Sequence, residues 1–329
     1  MKQLKQVLNF LKKHSILVVA LIGILAPILI TNTYHVHIIL MCMMYGILAS
    51  SLNIAVGMTG LSNLAHATFF GIGAYAAAIL NSRYGLPFYI TFFAGGIVAM
   101  AFGFILGAPT LRLKGVFLAL VTTGFGQVIR ILEINWVSLT NGPMGISGID
   151  GAKIGGYKFS TNAYIYYGLA LLVFCMFMSK RLMHTKVGRA LFAIKYDETV
   201  ARSLGVNLYF YKVGAYVLSA CIAGMAGTIF AHYVSFISPD TFTVADSTTV
   251  LCMVILGGAG SLLGPVLGAF ILTIAPEIFR FAQTYRMIFI GAVMVIGVIA
   301  NERGWGQMIS AKFKGLFGKK TVEKEGGKA

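Results

Sequence analysis

The chain has 329 residues, of which 58% are hydrophobic and only 11% are charged. Soluble domains are about 45–50% apolar and about 25% charged, so this composition excludes an ordinary soluble enzyme, a disordered tail protein and a disulfide-rich scaffold. It indicates a polytopic membrane protein, with a mean hydropathy of +0.84. The net charge of +16 is typical either of nucleic-acid binding or of many cytoplasmic loops.

Apolar stretches long enough to cross a bilayer recur along the whole chain. We predict an all-α polytopic membrane protein with about ten transmembrane helices, some of them broken by glycine, and with both termini cytoplasmic. The predicted spans are 15–31, 36–56, 61–80, 88–110, 115–136, 162–179, 212–235, 247–262, 264–280 and 286–301. The third, eighth and ninth contain glycine interruptions, so re-entrant segments are the alternative there.

The positions of the basic residues support this orientation. With both ends inside, 20 of the 26 Lys and Arg residues fall in cytoplasmic segments, five fall outside, and Arg130 lies within a span. Cytoplasmic loops of membrane proteins carry an excess of Lys and Arg. The basic excess therefore indicates topology, and nucleic-acid binding is excluded because no basic recognition helix or aromatic stacking sheet is present in the sequence.

The same assignment divides the chain into three parts. Residues 1–14 form a cytoplasmic N-terminal segment, 15–301 form the transmembrane domain with a cytoplasmic loop at 180–212, and 302–329 form a basic cytoplasmic tail. The tail either lies over anionic lipid headgroups or is a solvated extension. The four cysteines lie in apolar stretches without metal-type spacing, and we expect no metal site and no cofactor.

Catalytic motifs are missing from the sequence. The nearest match to a nucleotide-binding P-loop, residues 318–321, lacks the upstream glycine and a preceding strand, so we expect this chain not to be an enzyme and not to hydrolyse nucleotide. The acids nearest to apolar spans are Glu133 and Glu277. Each has an arginine three residues away (Arg130 and Arg280) on the same helix face, which favours local neutralisation over a role in docking or gating.

The loop 180–212 contains a regular pattern of apolar and charged residues in addition to its basic residues. Gly188 interrupts the chain, and residues Arg189 to Leu204 are predicted to form one amphipathic helix that Gly205 caps in the left-handed conformation. A surface helix with a central acidic pair, Asp197 and Glu198, suits a groove on a cytoplasmic partner. A helix lying on the lipid surface is the alternative.

Several motifs together resemble the permeases of branched-chain amino-acid ABC transporters, and most closely their LivM-like subunit. The resemblance covers about residues 45–300. Its motifs begin in this loop at residues 188–191, 193–194, 197–198, 201, 204–207 and 211–212, and continue at 51–53, 57–63, 71–75, 141–149, 223–227, 237–239 and 256–269. Phe192 departs from the pattern, because a basic residue is expected there.

The resemblance implies a bacterial importer of the inner membrane. In this family a periplasmic substrate-binding protein delivers the ligand, two homologous permease subunits form the pathway by alternating access, and two cytoplasmic ATPase subunits supply the energy. The implied cargo is leucine, isoleucine and valine. Urea, short amides or other amino acids in the same architecture are the alternative, followed by an ion-coupled secondary transporter. The residues implied to couple to the ATPase are Gly188, Arg189, Ala190, Ala193, Ile194, Asp197, Glu198, Ala201, Leu204 and Gly205.

Two pairs of glycines interrupt apolar segments 200 residues apart, Gly57 with Gly60 and Gly257 with Gly260. Interruptions at corresponding positions in two halves of a transporter indicate a substrate pathway, whereas glycines spaced four apart, as at 260, 264 and 268 or at 103 and 107, favour close helix packing. We assign packing to the 260–268 series and the pathway to the first region. The predicted pathway residues are Asn53, Gly57, Gly60, Ser62, Asn63 and His66.

The predicted outer loop 137–162 contains glycine at positions 142, 145, 148 and 151. It is long enough to form a docking lip for a binding protein, and a plain flexible loop is the alternative.

Overall fold

A computed structural model describes residues 15–29, 32–113, 115–154 and 157–278, together with residues 291 and 295. This part of the chain is mostly helical, as predicted, and its strands are only two residues long. The predicted N-terminal segment, the tenth span at 286–301 and the basic tail lie outside the described residues, apart from positions 291 and 295.

The helices and strands follow one another with short connections. The helices are α1 (Ser15–Leu29), α2 (Thr33–Leu52), α3 (His66–Tyr84), α4 (Phe88–Thr110), α5 (Gly115–Asn135), α6 (Val137–Thr140), α7 (Thr161–His184), α8 (Lys186–Tyr196), α9 (Glu198–Ser203), α10 (Leu208–Val234), α11 (Val244–Gly257) and α12 (Gly264–Ile278). A π-helical turn, Asn53–Gly57, extends α2. The strands are β1 (Ile146–Ser147), β2 (Lys153–Ile154), β3 (Tyr157–Lys158) and β4 (Phe236–Ile237); β1 pairs antiparallel with β4, and β2 with β3.

Among the described residues, six helical segments are long and apolar enough to cross a membrane. They are Tyr34–Gly57, Phe88–Thr110, Gly115–Asn135, Thr161–His184, Leu208–Val234 and Pro239–Gly257. Each overlaps a predicted span, which confirms a helical, multi-pass architecture. The described parts of α1 and α12 have 15 residues each.

The third predicted span starts too early. It was expected from residue 61, but α3 begins at His66, because residues 60–65 are not helical and Gly60 adopts a left-handed φ of +75°. The predicted eighth span likewise ends at Gly257 rather than at residue 262. Both errors fall at glycine interruptions, where an apolar composition continues beyond the end of the helix.

Helix α10 lies at the centre of the fold and packs against α3 and α4 through small residues. A Cβ atom placed on Gly73 would lie only 2.4 Å from the Cα atom of Gly224, and one on Gly103 would lie 2.7 Å from the Cβ of Ala220. Such contacts let helix backbones approach each other closely without bulky side chains between them. The close packing predicted for Gly103 is therefore confirmed, whereas Gly107 makes room for a ring, because a Cβ there would lie 3.2 Å from Tyr216 Cδ1.

The predicted outer loop is attached to the helix ends at several points. The backbone N–H of Asp150 donates to Asn81 Oδ1 (2.8 Å), and the carbonyl of Asp150 lies 2.8 Å from His232 Nδ1. The other ring nitrogen of His232 contacts Thr91 Oγ1 at 3.0 Å, and the strand pair β1–β4 joins the loop to the end of α10. These contacts argue against a plain flexible loop.

Arg130 acts electrostatically on Glu133, as predicted, but its salt-bridge partner is a different carboxylate. Arg130 Nη2 forms a salt bridge of 2.6 Å with Asp240 Oδ1, in the turn before α11, because that turn brings a more exposed carboxylate within reach of the guanidinium group. Arg280, the predicted partner of Glu277, lies outside the described residues. The cysteines are free, and two of them, Cys42 and Cys175, are buried.

Candidate functional site

The two glycine interruptions, far apart in the chain, meet at one end of the helices. Here the π-helical turn ends α2, and residues 258–263 connect α11 to α12. Asn53 joins them, because its Nδ2 donates to the carbonyl of Ser261 (2.9 Å) and its Oδ1 accepts from the N–H of Gly260 (2.8 Å). One buried side chain therefore satisfies a donor and an acceptor of the opposite connection.

The backbones of the two interruptions touch at Gly57 and Gly260. A Cβ on Gly57 would lie 2.6 Å from the Gly260 nitrogen, and a Cβ on Gly260 would lie 2.9 Å from the Gly57 oxygen, closer than side chains normally come. Gly260 also has a φ of +90°, which only glycine adopts without strain. The prediction that Gly260 belongs to a helical packing series is therefore wrong, whereas Gly264 and Gly268 do pack closely against α11.

The remaining predicted pathway residues lie beside this contact. Asn63 is buried, and its Oδ1 accepts from Tyr216 Oη (3.1 Å) and from the N–H of Ala65 (2.9 Å). His66 is fully buried, with Nε2 2.9 Å from Ser51 Oγ. Gly60 is exposed and Ser62 is half-buried. The structure thus brings the six residues to one region, with Gly60 and Ser62 nearest its surface.

The loop 180–212 is helical, but the prediction of one continuous helix from Arg189 to Leu204 is wrong. Helix α8 begins at Lys186, with Thr185 as its N-cap, so Gly188 lies inside it. Gly188 is needed for close approach instead, because a Cβ there would lie 1.9 Å from the Leu182 carbonyl oxygen. The chain then becomes extended at Asp197, and α9 begins after it.

The two acidic residues, Asp197 and Glu198, stabilise the fold of this loop. Asp197 Oδ1 caps α9 by accepting from the N–H groups of Thr199 (2.7 Å) and Val200 (3.1 Å). Glu198 Oε1 lies 2.6 Å from the ammonium group of Lys212, whose side chain is only 4% exposed. The predicted role of Gly205 as a left-handed C-terminal residue is confirmed by its φ of +80°.

The predicted coupling residues divide into an inward and an outward set. Ile194 and Ala201 pack with Leu208 in a small buried cluster, and Gly188 is buried as well. Arg189, Asp197, Leu204 and Gly205 are exposed, while Ala190, Ala193 and Glu198 are half-buried. Three exposed apolar side chains follow one another at intervals of four residues, Tyr196 (86% exposed), Val200 (55%) and Leu204 (74%). We call Tyr196, Val200 and Leu204 the loop surface.

Tyr196 and Val200 were not predicted as functional residues, although their spacing from Leu204 was visible in the sequence. They were missed because residues 189–204 were interpreted as one continuous amphipathic helix. In the structure Leu191, Ile194 and Ala201 turn inward, and the loop surface turns outward because the chain bends at Asp197.

A lysine on α8 reaches the meeting point of the two interruptions. Lys195 Nζ donates to the carbonyl of Gly57 (2.8 Å) and to the carbonyl of Ala259 (3.4 Å). Burial lowers the pKa of the Lys195 side chain. Spacing along the chain does not indicate this contact, because the two acceptors of Lys195 are backbone atoms 138 and 64 residues away.

The geometry defines a class of protein. Long apolar helices, two of them interrupted at the same end, and a helical loop packed on the interruptions are features of a multi-pass membrane transport protein. Within the described residues, no group of three or more His, Cys, Asp or Glu side chains is placed to hold a metal ion.

Comparison with known proteins gives the family. The family described as branched-chain amino acid transport system / permease component matches residues 34–298, and the chain belongs to it. The chain is 38% identical over 303 residues to the high-affinity branched-chain amino acid transport system permease protein LivM of Escherichia coli K12 (85% of this chain, 71% of the relative). It is 36% identical over 327 residues to LivM of Salmonella typhimurium (92% and 77%).

A more distant relative is the autoinducer 2 import system permease protein LsrC of Escherichia coli O9:H4, 28% identical over 201 residues (59% of this chain, 56% of the relative). No solved structure matches the chain. The resemblance drawn from the sequence motifs is thus confirmed, and the chain is a multi-pass permease subunit of the cell membrane.

Proposed function

We propose that this chain is the permease subunit of an ATP-driven importer that moves leucine, isoleucine and valine across the bacterial inner membrane by alternating access. The observation that carries the proposal is the 38% identity to LivM over 85% of the chain. The family match covers residues 34–298, which include the two interruptions and the helical loop.

The proposed importer contains four other subunits besides this chain. These are a second homologous permease, two cytoplasmic ATPase subunits and a periplasmic substrate-binding protein. The absence of a P-loop motif from the sequence supports this division of labour, because the energy must then come from another chain. The attached outer loop, 137–162, is the proposed docking lip for the binding protein.

The proposed topology has ten spans with both termini cytoplasmic. It is supported by the 20 basic residues that fall on the cytoplasmic side. In this orientation α8 and α9 face the cytoplasm, where the ATPase subunits are.

The loop surface is the proposed contact with an ATPase subunit. Tyr196, Val200 and Leu204 are large, apolar and exposed, and a short helix that presents such residues fits an apolar groove on a partner. The coupling residues named from the sequence then have two roles. Those that are exposed, such as Arg189 and Asp197, border the contact, while those that are buried, such as Ile194 and Ala201, hold α8 and α9 on the membrane domain.

The proposed pathway passes the first interruption on the side of Gly60 and Ser62. Both reach the surface of the described structure, whereas Asn53, Asn63 and His66 are buried in hydrogen bonds. These three residues therefore hold the irregular backbone in shape, and irregular backbone within a membrane requires such partners.

The contact with the ATPase is tested by adding a charge to the loop surface. Leu204→Glu, expressed with the other subunits, is expected to lose copurifying ATPase subunits and ATP-dependent leucine uptake, because a carboxylate replaces an apolar contact. Ser203→Glu is the matched control, since it adds the same charge to the neighbouring exposed residue and removes no apolar side chain. Full retention of the ATPase subunits by Leu204→Glu would contradict the proposed contact.

The cargo and energy source are tested in proteoliposomes that contain the complete transporter. Uptake of labelled leucine is expected to require ATP and to be reduced by excess isoleucine or valine but not by urea. Competition by urea would favour the amide-carrying alternative, and uptake driven by an ion gradient without ATP would favour a secondary transporter.

A further inference from the structure

We propose that Lys195 is a positioning residue that fastens the ATPase-coupling loop to both helix interruptions, so that a movement of α8 displaces the ends of α2 and α11 together. This inference rests on the proposed function, because it concerns how the coupling loop acts on the membrane domain. It adds a residue that neither the family motifs nor the periodicity of the sequence singled out.

The position of the ammonium group is the first argument. It contacts the carbonyl of Gly57, in the last turn of the extended α2, and that of Ala259, just beyond the end of α11. The last carbonyl groups of a helix have no partner within the helix and carry partial negative charge. One cation therefore serves two helix ends that are far apart in sequence.

The rigidity of the contact between the two interruptions is the second argument. We call this contact, formed by Asn53, Gly57, Gly260 and Ser261, the joint. The two interruptions are already fastened to each other by Asn53 and by the backbone contact of Gly57 with Gly260. Because Gly57 and Gly260 face each other, the two backbones are in direct contact and no flexible side chain separates them at this point. A force applied through Lys195 therefore acts on both helix ends as one unit.

The placement of α8 is the third argument. Lys195 and Tyr196 are neighbours in the last turn of α8, but Lys195 reaches inward to the interruptions while Tyr196 is exposed on the loop surface. Phe192, one turn earlier, also faces the joint, with its Cε1 3.5 Å from the position of a Cβ on Gly260. The same helical turn therefore contacts the proposed partner on one side and the membrane domain on the other.

The experiment compares Lys195→Met with Lys186→Met in the complete reconstituted transporter. Lys186 lies on the same helix and is exposed, so its replacement removes the same charge without changing the joint. Lys195→Met is expected to keep the ATPase subunits and ATP hydrolysis, while leucine uptake falls at least about tenfold, the change expected for loss of hydrogen bonds to a charged group. Lys186→Met is expected to keep both activities.

Lys195→Arg separates positioning from a merely structural role. Arginine keeps the charge and the donors, so it is expected to restore part of the uptake, and a structural defect would instead reduce the amount of folded protein and both activities in parallel. The second readout is the labelling of Ser62→Cys by a maleimide, compared with the unsubstituted chain. Its rate is expected to change between nucleotide-free and vanadate-trapped transporter, and Lys195→Met is expected to abolish that change.

Any one of three results would overturn the inference. Wild-type uptake in Lys195→Met would show that the joint does not transmit movement. Loss of the ATPase subunits from Lys195→Met would assign the lysine to docking, and Leu204→Glu tests docking independently. If Lys195→Met does not accumulate in the membrane, Lys195→Gln decides the matter. A ratio of uptake to hydrolysis below that of the wild type supports the inference, and an equal ratio overturns it.

Discussion

Lys212 illustrates how a charged side chain is tolerated at the start of a membrane helix. Its side chain is 4% exposed and its ammonium group lies 2.6 Å from Glu198, which is itself 22% exposed. Removing one partner of a buried ion pair leaves an uncompensated charge, which costs more than the pair contributes when intact. The pair fastens α9 to the N-terminal part of α10.

We therefore expect Lys212→Met to destabilise the fold by about 3 kcal/mol, the low end for a broken buried pair because Glu198 keeps some exposure. The double variant Lys212→Met with Glu198→Gln removes both charges and is expected to recover most of that loss. Unfolding by SDS in mixed micelles measures the difference. Equal stability of the single variant and the wild type would show that the pair contributes nothing.

Asp197 has a different task from its neighbour, because its carboxylate caps α9. Asp197→Ala is expected to destabilise α9 by about 1 kcal/mol, and Asp197→Asn by little, since asparagine caps equally well. Hydrogen exchange of the Thr199 and Val200 amides, the two donors to the cap, measures the effect. Exchange that is equally fast in both variants would assign the protection to charge rather than to capping.

At the scale of elements, α10 shows why small residues recur in this sequence. Its Gly224 meets Gly95 and Ala99 of α4, and a Cβ there would lie 2.4 Å from the Cβ of Ala99. Gly214 lies on the same helix, is exposed, and has nothing within 4 Å of its Cβ position. The two glycines therefore differ in packing while sharing a helix.

Gly224→Ala is expected to lower stability by about 1–3 kcal/mol, because the extra methyl group forces α4 and α10 apart. Gly214→Ala is expected to be neutral or to stabilise the helix by up to about 1 kcal/mol, since alanine is the better helix former. The midpoint of thermal unfolding in detergent compares them. A smaller loss for Gly224→Ala than for Gly214→Ala would mean that the close helix contact does not limit packing.

Periodicity and apolar length were enough to predict most of the membrane helices, because burial in lipid requires long apolar segments whatever their partners are. They were not enough to predict where α8 ends. Asp197 fits a continuous amphipathic helix by spacing, but the backbone is extended there and its carboxylate caps α9. The contact of Lys195 with Gly57 cannot be predicted from spacing at all, because it forms only when residues 138 positions apart come together in the tertiary structure.

The glycines at 260, 264 and 268 also show that spacing alone does not determine the role of a residue. Spacing identified the 260–268 series as helical packing, which holds for Gly264 and Gly268. Gly260 instead needs its positive φ for the turn between α11 and α12. A glycine in a packed helix and one in a turn look alike in sequence, and only the partner across the contact distinguishes them.

At the scale of the whole molecule, the polar contacts gather at two opposite ends of the helices. One end holds the contact of Lys195 with the two interruptions. The other holds the connections of Asn81 and His232 to Asp150. The proposed orientation places the first end in the cytoplasm and the second in the periplasm, because the basic residues cluster near the first.

This orientation predicts opposite labelling of two exposed tyrosines replaced by cysteine. Tyr84 (70% exposed) ends α3 near the proposed periplasmic side, and Tyr196 ends α8 near the proposed cytoplasmic side. In intact spheroplasts that express the chain without the ATPase subunits, a membrane-impermeant maleimide is expected to label Tyr84→Cys but not Tyr196→Cys, and opening the membrane should expose both. The unsubstituted chain, with its four free cysteines, gives the background. Labelling of Tyr196→Cys in intact cells would reverse the orientation and would leave the loop surface on the wrong side for an ATPase.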